Sequence, residues 1–361
     1  MTPRTVLVTG GASFLGLHVV RQLTAEGWGV RILDPVPAPS WAGEMGFDYR
    51  QGDVRDLAAV RTAVDGADVV VHAGFAPPSR SPGEIVEVNV AGTRNVLEAA
   101  GTAGATRLVL VSSTIVGRAL SAHPLARGAP LSRLAVYRSS RVAAEAQVAR
   151  AADAGLSVAI ARPKTFLGPG GVGAFALLFG LVAQGRPVPV LGPGSNRYQL
   201  VDVRDLADGL TRLACSEVTG YFNFGATRFT TVAEDLSAVV VHAGTGARLR
   251  HVPGALAQVA LRAVELGGLA PLSEWHQLSA RGEDSVVDTS RARAELGWEP
   301  VRSNVDALVD GYDWFSARAT TGETATPPRR VPGAHRVLAR LTSAGPGDRR
   351  ALRPRAGDRP A

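Results

Sequence analysis

The chain has 361 residues, of which 45% are hydrophobic and 20% charged, a composition typical of a globular protein with one large α/β domain or two smaller ones. Its single cysteine, Cys215, excludes an intramolecular disulfide and fits a reducing cytoplasm. The net charge of +7 does not indicate a nucleic-acid partner, because +6 of it lies in residues 319–361 and the rest of the chain is nearly neutral.

Residues 319–361 form a tail with nine arginines, three acidic residues and little apolar periodicity. We expect this tail to be mostly disordered and solvated, with polyanion binding as the alternative. The first strand begins too early to leave room for a signal peptide, and the apolar runs 174–183 and 255–266 are too short or too interrupted to span a bilayer. A cytoplasmic protein without a membrane partner is therefore expected.

The first predicted elements are a strand, a glycine turn and a helix. An apolar run over 6–8 suits a strand buried on both faces, and a helix follows over 17–23. The turn between them contains Gly10, Gly11 and Gly16, so that backbone N–H groups and the helix dipole face a pyrophosphate. The middle position of the glycine pattern holds Ser13, which we expect to crowd the pyrophosphate unless its hydroxyl donates to a phosphate oxygen.

The second predicted strand, 29–34, ends in a carboxylate. Asp34 lies 18 residues after Gly16, about where an acid binds the adenosine ribose hydroxyls of NAD. Its charge would repel a 2′-phosphate, and Pro35 rather than an arginine follows it, so NAD is favoured over NADP. The alternative is a strand-ending carboxylate that caps the next turn.

Further strands and helices alternate as far as residue 163. A βα unit opens at 51–56, where a carboxylate is available to the adenine amino group, and a buried strand over 67–74 ends in small residues that allow a cofactor to approach the backbone. A long helix over 89–100, a strand over 107–113, a second long helix over 134–152 and a strand over 157–163 follow.

This alternation predicts an α/β fold with a Rossmann-type, doubly wound parallel sheet, whose ligands lie at the carboxyl ends of the strands. Beyond residue 166 the alternation fails, and Gly and Pro cluster as far as residue 194. We therefore predict a cofactor-binding domain over 1–165 with returns near 198–225, a smaller C-terminal substrate-binding lobe over 166–318, and the tail.

Nine stretches of the chain, in the same order, resemble the extended short-chain dehydrogenase/reductase family, the group of NAD-dependent epimerases and dehydratases. They are 9–16, 52–56, 89–95, 112–117, 137–141, 162–170, 202–208, 221–225 and 296–300. The resemblance implies a small-molecule substrate, NAD as the cofactor and no metal. It also implies a homodimer that pairs through the helices 89–101 and 134–152.

The resemblance implies that Tyr137 exchanges a proton with a substrate alcohol or ketone while a hydride moves to or from C4 of the nicotinamide. In the family a lysine one helical turn later favours the phenolate and holds the nicotinamide ribose, but this chain has Arg141 there. Either Arg141 preserves the chemistry with altered activity, or the redox chemistry has been lost. The hydroxyl that bonds the reacting oxygen is Ser113 by strand register, with Ser112 as the alternative.

The residues that the resemblance places against the cofactor lie mostly at strand ends and at the starts of helices. They are Gly10, Ser13, Phe14, Leu15, Gly16, Asp34, Asp53, Val54, Ala73, Gly74, Asn89, Tyr137, Arg141 and Pro163. The chain's only lysine, Lys164, follows Pro163. It is either a catalytic cation near Tyr137 or a substrate oxygen, or an ordinary surface lysine.

The substrate class is open at this point. No Asp-Glu pair follows Ser113, which disfavours the elimination of water, and the register of the family's diphosphate-binding arginine falls on Tyr198 with Arg197 one residue earlier. A sugar nucleotide and an apolar substrate of the 3β-hydroxysteroid type are the two alternatives, and the apolar runs 174–183 and 255–272 line a pocket or form core and lid helices. An NAD-dependent oxidoreductase or epimerase, a non-redox enzyme and a non-catalytic binding protein remain as hypotheses.

Overall fold

The computed structural model describes residues 4–119, 132–266 and 273–321. The strands are β1 (Thr5–Thr9), β2 (Gly29–Asp34), β3 (Asp48–Gln51), β4 (Val69–His72), β5 (Arg107–Val111), β6 (Ser157–Pro163), β7 (Thr165–Leu167), β8 (Val188–Leu191), β9 (Leu200–Asp202), β10 (Gly220–Phe224) and β11 (Leu249–Val252). The helices before residue 200 are α1 (Phe14–Ala25), α2 (Ser40–Glu44), α3 (Leu57–Val64), α4 (Pro82–Val86), α5 (Thr93–Ala103), α6 (Ile115–Ala119), α7 (Arg133–Asp153) and α8 (Ala176–Ala183). The later helices are α9 (Val203–Cys215), α10 (Val232–Ala243), α11 (Gly254–Leu266), α12 (Glu274–Arg281), α13 (Ser290–Leu296) and α14 (Asn304–Thr321).

Seven strands form one parallel sheet in the order β10-β6-β5-β4-β1-β2-β3. The strand order reverses between β1 and β4, which makes their carboxyl ends the crevice where such sheets bind ligands. The predicted Rossmann-type, doubly wound fold is confirmed.

Alternate side chains of the buried strands build two hydrophobic layers. Val6 and Val8 of β1 belong to the layer under α1 and α9, whereas Leu7 belongs to the layer under α3, α5 and α7. Because both faces are covered by helices, the central strands β1, β4 and β5 are apolar at successive positions, as the sequence of β1 predicted. Trp298 is fully buried and its Nε1 donates to the Asp205 carbonyl, which ties the chain after α13 to α9.

The long helix predicted over 89–100 begins earlier and contains a wider turn. Ser81 caps α4 by accepting a hydrogen bond from the Glu84 amide, and Pro82 occupies the first turn. A π-helical turn over Glu87–Gly92 then joins α4 to α5. No pattern in the sequence predicted this turn, because α4 has only five residues and shows too little of an apolar repeat for a change of phase to be visible.

Residues 166–200 and 226–290 form most of a second hydrophobic cluster, built around α8, α10 and α14. Leu178, Phe179 and Val182 of α8 are buried, so the apolar run 174–183 is core. The run 255–272 is described only as far as Leu266, in α11. The division of the chain near residue 165 stays a prediction, as does the homodimer. Nearly all of the tail, residues 322–361, lies outside the described residues.

Among the described residues, no helix combines the length and the apolar composition that crossing a membrane requires. The cytoplasmic location stays a prediction.

Candidate active site

The glycine turn after β1 lies against the chain that leaves β4. Gly10 has a φ of 71°, and a Cβ added there would lie 2.7 Å from the Gly74 Cα. A Cβ at Gly16 would lie 2.1 Å from the Gly10 carbonyl oxygen. Both positions therefore exclude a side chain, and the turn leaves backbone N–H groups at the start of α1 open to an anion.

Ser13 is the N-cap of α1, which begins at Phe14 rather than near residue 17. Its Oγ accepts a hydrogen bond of 3.1 Å from the Gly16 amide, and the residue is exposed. Crowding of a phosphate and donation to one were the two roles predicted from the sequence. The observed cap is a third role that the position of Ser13 just before a helix could have indicated.

Asp34 lies at the end of β2, beside the glycine turn. Its Oδ2 accepts from the Ala12 amide at 3.0 Å and its Oδ1 from the Val36 amide at 3.1 Å. Burial raises the pKa of the Asp34 carboxyl, and these two hydrogen bonds oppose the rise. The bond from Val36 is the turn cap that the sequence offered as the alternative role of Asp34, and its binding of ribose hydroxyls stays a prediction.

The other residues expected at the adenosine end contribute mainly backbone or packing. Asp53 pairs with Arg55 at 2.6 Å, and hydrogen bonds from Arg55 lower the pKa of the Asp53 carboxyl. Val54 and Leu15 have buried side chains, so their contact with a cofactor would be through the main chain. Phe14 stacks on Phe166 with ring centroids 5.9 Å apart, which joins α1 to the segment after β6.

Tyr137 and Arg141 meet on one face of α7, one helical turn apart. Arg141 Nη2 donates to Tyr137 Oη at 2.9 Å, and Arg141 Nη1 donates to the Val111 carbonyl at 3.0 Å. Arg141 is only 7% exposed, and its Nε is buried and has no hydrogen-bond partner among the described residues. The guanidinium therefore holds the phenol oxygen and retains one buried donor for a further acceptor.

Two neighbours of Arg141 on the chain from β4 were not predicted from the sequence. The Arg141 guanidinium carbon lies 3.6 Å from the centroid of the Phe75 ring, and the His72 ring lies 4.7 Å from the Phe75 centroid. Burial, with the positive charge of Arg141 nearby, lowers the pKa of His72 to about 3. In the sequence, the only indication of this contact was that a large residue, Phe75, directly follows Ala73 and Gly74.

Ser112 and Ser113 have different surroundings at the end of β5. Ser112 is buried and its Oγ donates to Glu145 Oε1 at 2.6 Å, while Glu145 forms an ion pair with Arg162. Ser113 is half-buried, and its Oγ accepts a longer bond of 3.3 Å from the Ile115 amide. Ser112 is committed to Glu145, so Ser113 is the better placed of the two for a substrate oxygen.

Lys164 lies between β6 and β7 and is buried. It is 2% exposed, its Nζ donates to Ser285 Oγ at 2.5 Å, and it lies 4.2 Å from the centroid of the Tyr198 ring. An ordinary surface lysine is therefore excluded. Within the described residues Tyr137 Oη bonds Arg141 and not Lys164.

Asn89 and Pro163 hold the main chain around the site. Asn89 is fully buried, where it accepts from the Ala76 amide at 2.8 Å and donates to Ser140 Oγ at 2.9 Å. The Pro163 carbonyl accepts from the Thr114 amide at 3.1 Å. Asn89 thus fixes the chain that carries Phe75 to the helix that carries Tyr137, and its side chain has structural partners already.

These residues fit a bound NAD. The glycine turn offers a backbone cradle that a Cβ would fill, Asp34 offers a carboxylate for ribose hydroxyls, and Arg141 Nε is a buried donor that a ribose hydroxyl would satisfy. The donor set thus covers the pyrophosphate, adenosine and nicotinamide ends of a dinucleotide.

The profile of the NAD dependent epimerase/dehydratase family matches residues 6–225. The uncharacterized protein y4nG of Sinorhizobium fredii is 33% identical, over 94% of this chain and 85% of its own length. A ceramide reductase of Caulobacter vibrioides is 31% identical, over 86% of this chain and 94% of its own length. A 3 beta-hydroxysteroid dehydrogenase/Delta 5-->4-isomerase of Mycobacterium tuberculosis is 28% identical, over 86% and 90%.

Among solved structures, an epimerase of Methanothermobacter thermautotrophicus has a TM-score of 0.69 and 20% identity, over 90% of this chain and 95% of that chain. The UDP-glucose 4-epimerase of Thermus thermophilus in complex with NAD has a TM-score of 0.64 and 24% identity, over 86% and 98%. Likeness at this identity shows the fold alone, but the family is NAD-dependent and NAD is the cofactor. The chain belongs to the NAD-dependent epimerase/dehydratase family.

Proposed function

We propose that the protein is an NAD-dependent oxidoreductase acting at a secondary alcohol or ketone of a largely apolar substrate, with Tyr137 as the acid/base. The observation that carries this proposal is the 2.9 Å hydrogen bond from Arg141 Nη2 to Tyr137 Oη. It places a permanent cation on the phenol oxygen, the arrangement that a proton-exchanging tyrosine needs near neutral pH.

Bound NAD supplies the acceptor for a hydride. In the direction of oxidation, Tyr137 Oη takes the proton of the substrate hydroxyl as the hydride leaves the same carbon, which becomes a carbonyl. Arg141 stabilises the phenolate before the transfer, and Ser113 Oγ hydrogen-bonds the substrate oxygen. Reduction of a ketone uses the same groups in reverse.

An apolar substrate is better supported than a nucleotide diphosphate. Tyr198, at the register of the diphosphate-binding arginine, is 1% exposed, and its Oη lies 2.8 Å from Thr165 Oγ1 and 3.4 Å from Glu274 Oε2. Arg197 is exposed and stacks on Phe229 instead. The Tyr198 position therefore offers a buried phenol that is already hydrogen-bonded within the protein, where a diphosphate would need an accessible cation. Relatives named as a ceramide reductase and a hydroxysteroid dehydrogenase agree with this choice.

The test is hydride transfer, followed by the absorbance of NADH with steroid, long-chain and sugar-nucleotide alcohols and ketones. We expect turnover of an apolar substrate, and we expect Tyr137→Phe to lower kcat at least about 100-fold with little change in the affinity for NAD. Tyr221→Phe is the matched control, because Tyr221 lies outside this contact and stacks with Arg162.

Two results would overturn the proposal. Wild-type turnover in Tyr137→Phe would remove the tyrosine from the chemistry. Efficient turnover of sugar nucleotides alone would make the chain a nucleotide-sugar epimerase or dehydrogenase, the other alternative from the sequence.

A further inference from the structure

We propose that Phe75 is a positioning residue whose ring holds the Arg141 guanidinium against Tyr137, and that Phe75 and Arg141 together replace the lysine that other family members use. This inference rests on the proposed function, since it assigns Arg141 the task of holding the phenolate. It concerns two residues that touch each other, one of which departs from the family pattern.

The contact is made by two elements that meet only in the folded chain. The segment after β4 carries Phe75, and α7 carries Arg141, 66 residues later. The guanidinium carbon lies 3.6 Å from the Phe75 centroid and 5.0 Å from the Tyr137 centroid. At 3.6 Å the cation is in van der Waals contact with the ring, and a cation–π contact is strongest where both partners are removed from water, as here.

The ring matters because Arg141 is a buried cation without an acidic partner. Across residues 4–119, 132–266 and 273–321, no carboxylate lies within ion-pair distance of Arg141. Of the titratable groups nearby, His72 on β4 is kept neutral by burial, and Glu145, one helical turn after Arg141, is ion-paired with Arg162. The electron-rich face of Phe75 therefore adds to the two hydrogen bonds that compensate a guanidinium that is 7% exposed.

The ring also fixes the direction of the donors. A guanidinium is planar, and turning it about its stem would move both Nη2 from Tyr137 Oη and Nη1 from the Val111 carbonyl. Phe75 supports this plane, and the His72 ring contacts Phe75 in turn. An ammonium has three rotatable donors and needs no flat support, so a lysine at this position would not require the ring.

The experiment follows the titration of Tyr137 in the cofactor-free protein. The ultraviolet absorbance of tyrosinate is recorded against pH, and the curve of Tyr137→Phe is subtracted. Phe75→Leu keeps an apolar side chain but removes the ring, so we expect its titration curve to separate from that of the wild type, toward higher pH. Phe75→Tyr keeps the ring but adds a phenol, so the curve of Phe75→Tyr/Tyr137→Phe is subtracted from it, and we expect the difference to match that of the wild type.

A double variant tests whether the two residues act as a pair. In the background of Arg141→Lys, we expect Phe75→Leu to leave the titration curve unchanged, because an ammonium does not need the ring. Phe47→Leu is the control for loss of an aromatic residue elsewhere, since Phe47 packs on Trp41 away from the site. If Phe75→Leu does not fold, Phe75→Met takes its place in both backgrounds.

A Phe75→Leu curve that superimposes on the wild-type curve would overturn the inference, and so would an equal shift in the Arg141→Lys background. The titration needs neither substrate nor turnover. A shifted midpoint in a protein that oxidises no alcohol would therefore refute the proposed function and leave the positioning role of Phe75 intact.

Discussion

The two ends of the candidate cofactor site differ in whether main chain or side chains form the surface. At the pyrophosphate end, Gly10, Gly16 and Gly74 make the surface from main chain alone, and added Cβ atoms at Gly10 and Gly16 would meet backbone within 3 Å. At the nicotinamide end, Phe75, Tyr137 and Arg141 make it from side chains. The main-chain surface admits only glycine at these positions. The side-chain surface tolerates the replacement of a residue when its neighbour changes with it.

The largest expected effect is at the main-chain end. Gly16→Ala would place a Cβ 2.1 Å from the Gly10 carbonyl oxygen and within 3 Å of the Gly11 backbone, so main chain rather than a flexible side chain would have to shift. We expect a loss of about 3 kcal/mol or more in the free energy of unfolding and no calorimetric binding of NAD.

Gly101→Ala is the matched control for this change. Gly101 lies in α5, and nothing is within 4 Å of an added Cβ. Alanine should stabilise that helix by up to about 1 kcal/mol. A stable, NAD-binding Gly16→Ala protein would show that the cradle is less rigid than its distances indicate.

The second prediction concerns His72, which connects the two ends. Its Nδ1 lies 2.7 Å from Thr9 Oγ1, which also accepts from the Gly74 amide, and its Nε2 lies 3.1 Å from Thr93 Oγ1. Thr93 Oγ1 donates to the Asn89 carbonyl, so it must accept from Nε2, and Thr9 Oγ1 must donate to Nδ1. A second ring proton, on Nδ1, would end the bond that Thr9 Oγ1 donates, and the Thr9 hydroxyl would have to turn and accept instead.

Stability should therefore fall in acid. The unfolded chain takes up a proton at His72 below about pH 6.5, whereas burial lowers the pKa of His72 in the folded protein to about 3. The neutral His72 ring therefore contributes fully to the free energy of unfolding above pH 6.5, and this contribution is lost progressively as the pH falls toward 3. Between about pH 7 and about pH 5 the wild type should lose about 2 kcal/mol more than His72→Gln, measured by urea unfolding. Equal losses would mean that His72 is protonated in the fold.

The sequence predicted the main-chain end well and the side-chain end in part. Glycine turns, buried strands and Asp34 follow from local sterics and spacing, which act within about 20 residues of one another along the chain. The contact between Tyr137 and Arg141 follows from one helical turn. The contact of Arg141 with Phe75 joins two elements that are distant in sequence, and no local pattern specifies it.

Two further features show the same limit. Ser112 and Ser113 are adjacent and chemically identical, and only the partner Glu145, from α7, distinguishes them. Lys164 looked equally suited to a surface and to a catalytic role, and its burial depends on Ser285, which lies 121 residues away. In each case the deciding neighbour comes from another element.

Ser13 gives the smallest test of the difference between the two ends, because its side chain lies within the end that main chain otherwise forms. Its Oγ accepts from the Gly16 amide, one of the groups that would otherwise face a phosphate. Ser13→Gly frees that amide and removes a Cβ, and we expect NAD to bind about threefold more tightly by calorimetry. The stability of α1 should fall by only a few tenths of a kcal/mol, about the difference between serine and glycine as N-caps.

Ser13→Ala separates the two causes, because it frees the Gly16 amide but keeps the Cβ. If the cap bond is what competes with phosphate, Ser13→Ala should also tighten binding; if crowding by the Cβ is what weakens it, only Ser13→Gly will. Weaker binding in both variants would show that the hydroxyl turns from its cap to donate to the phosphate. The Ser13 side chain would then bind phosphate directly, at a surface that is otherwise formed by the main chain of the glycines.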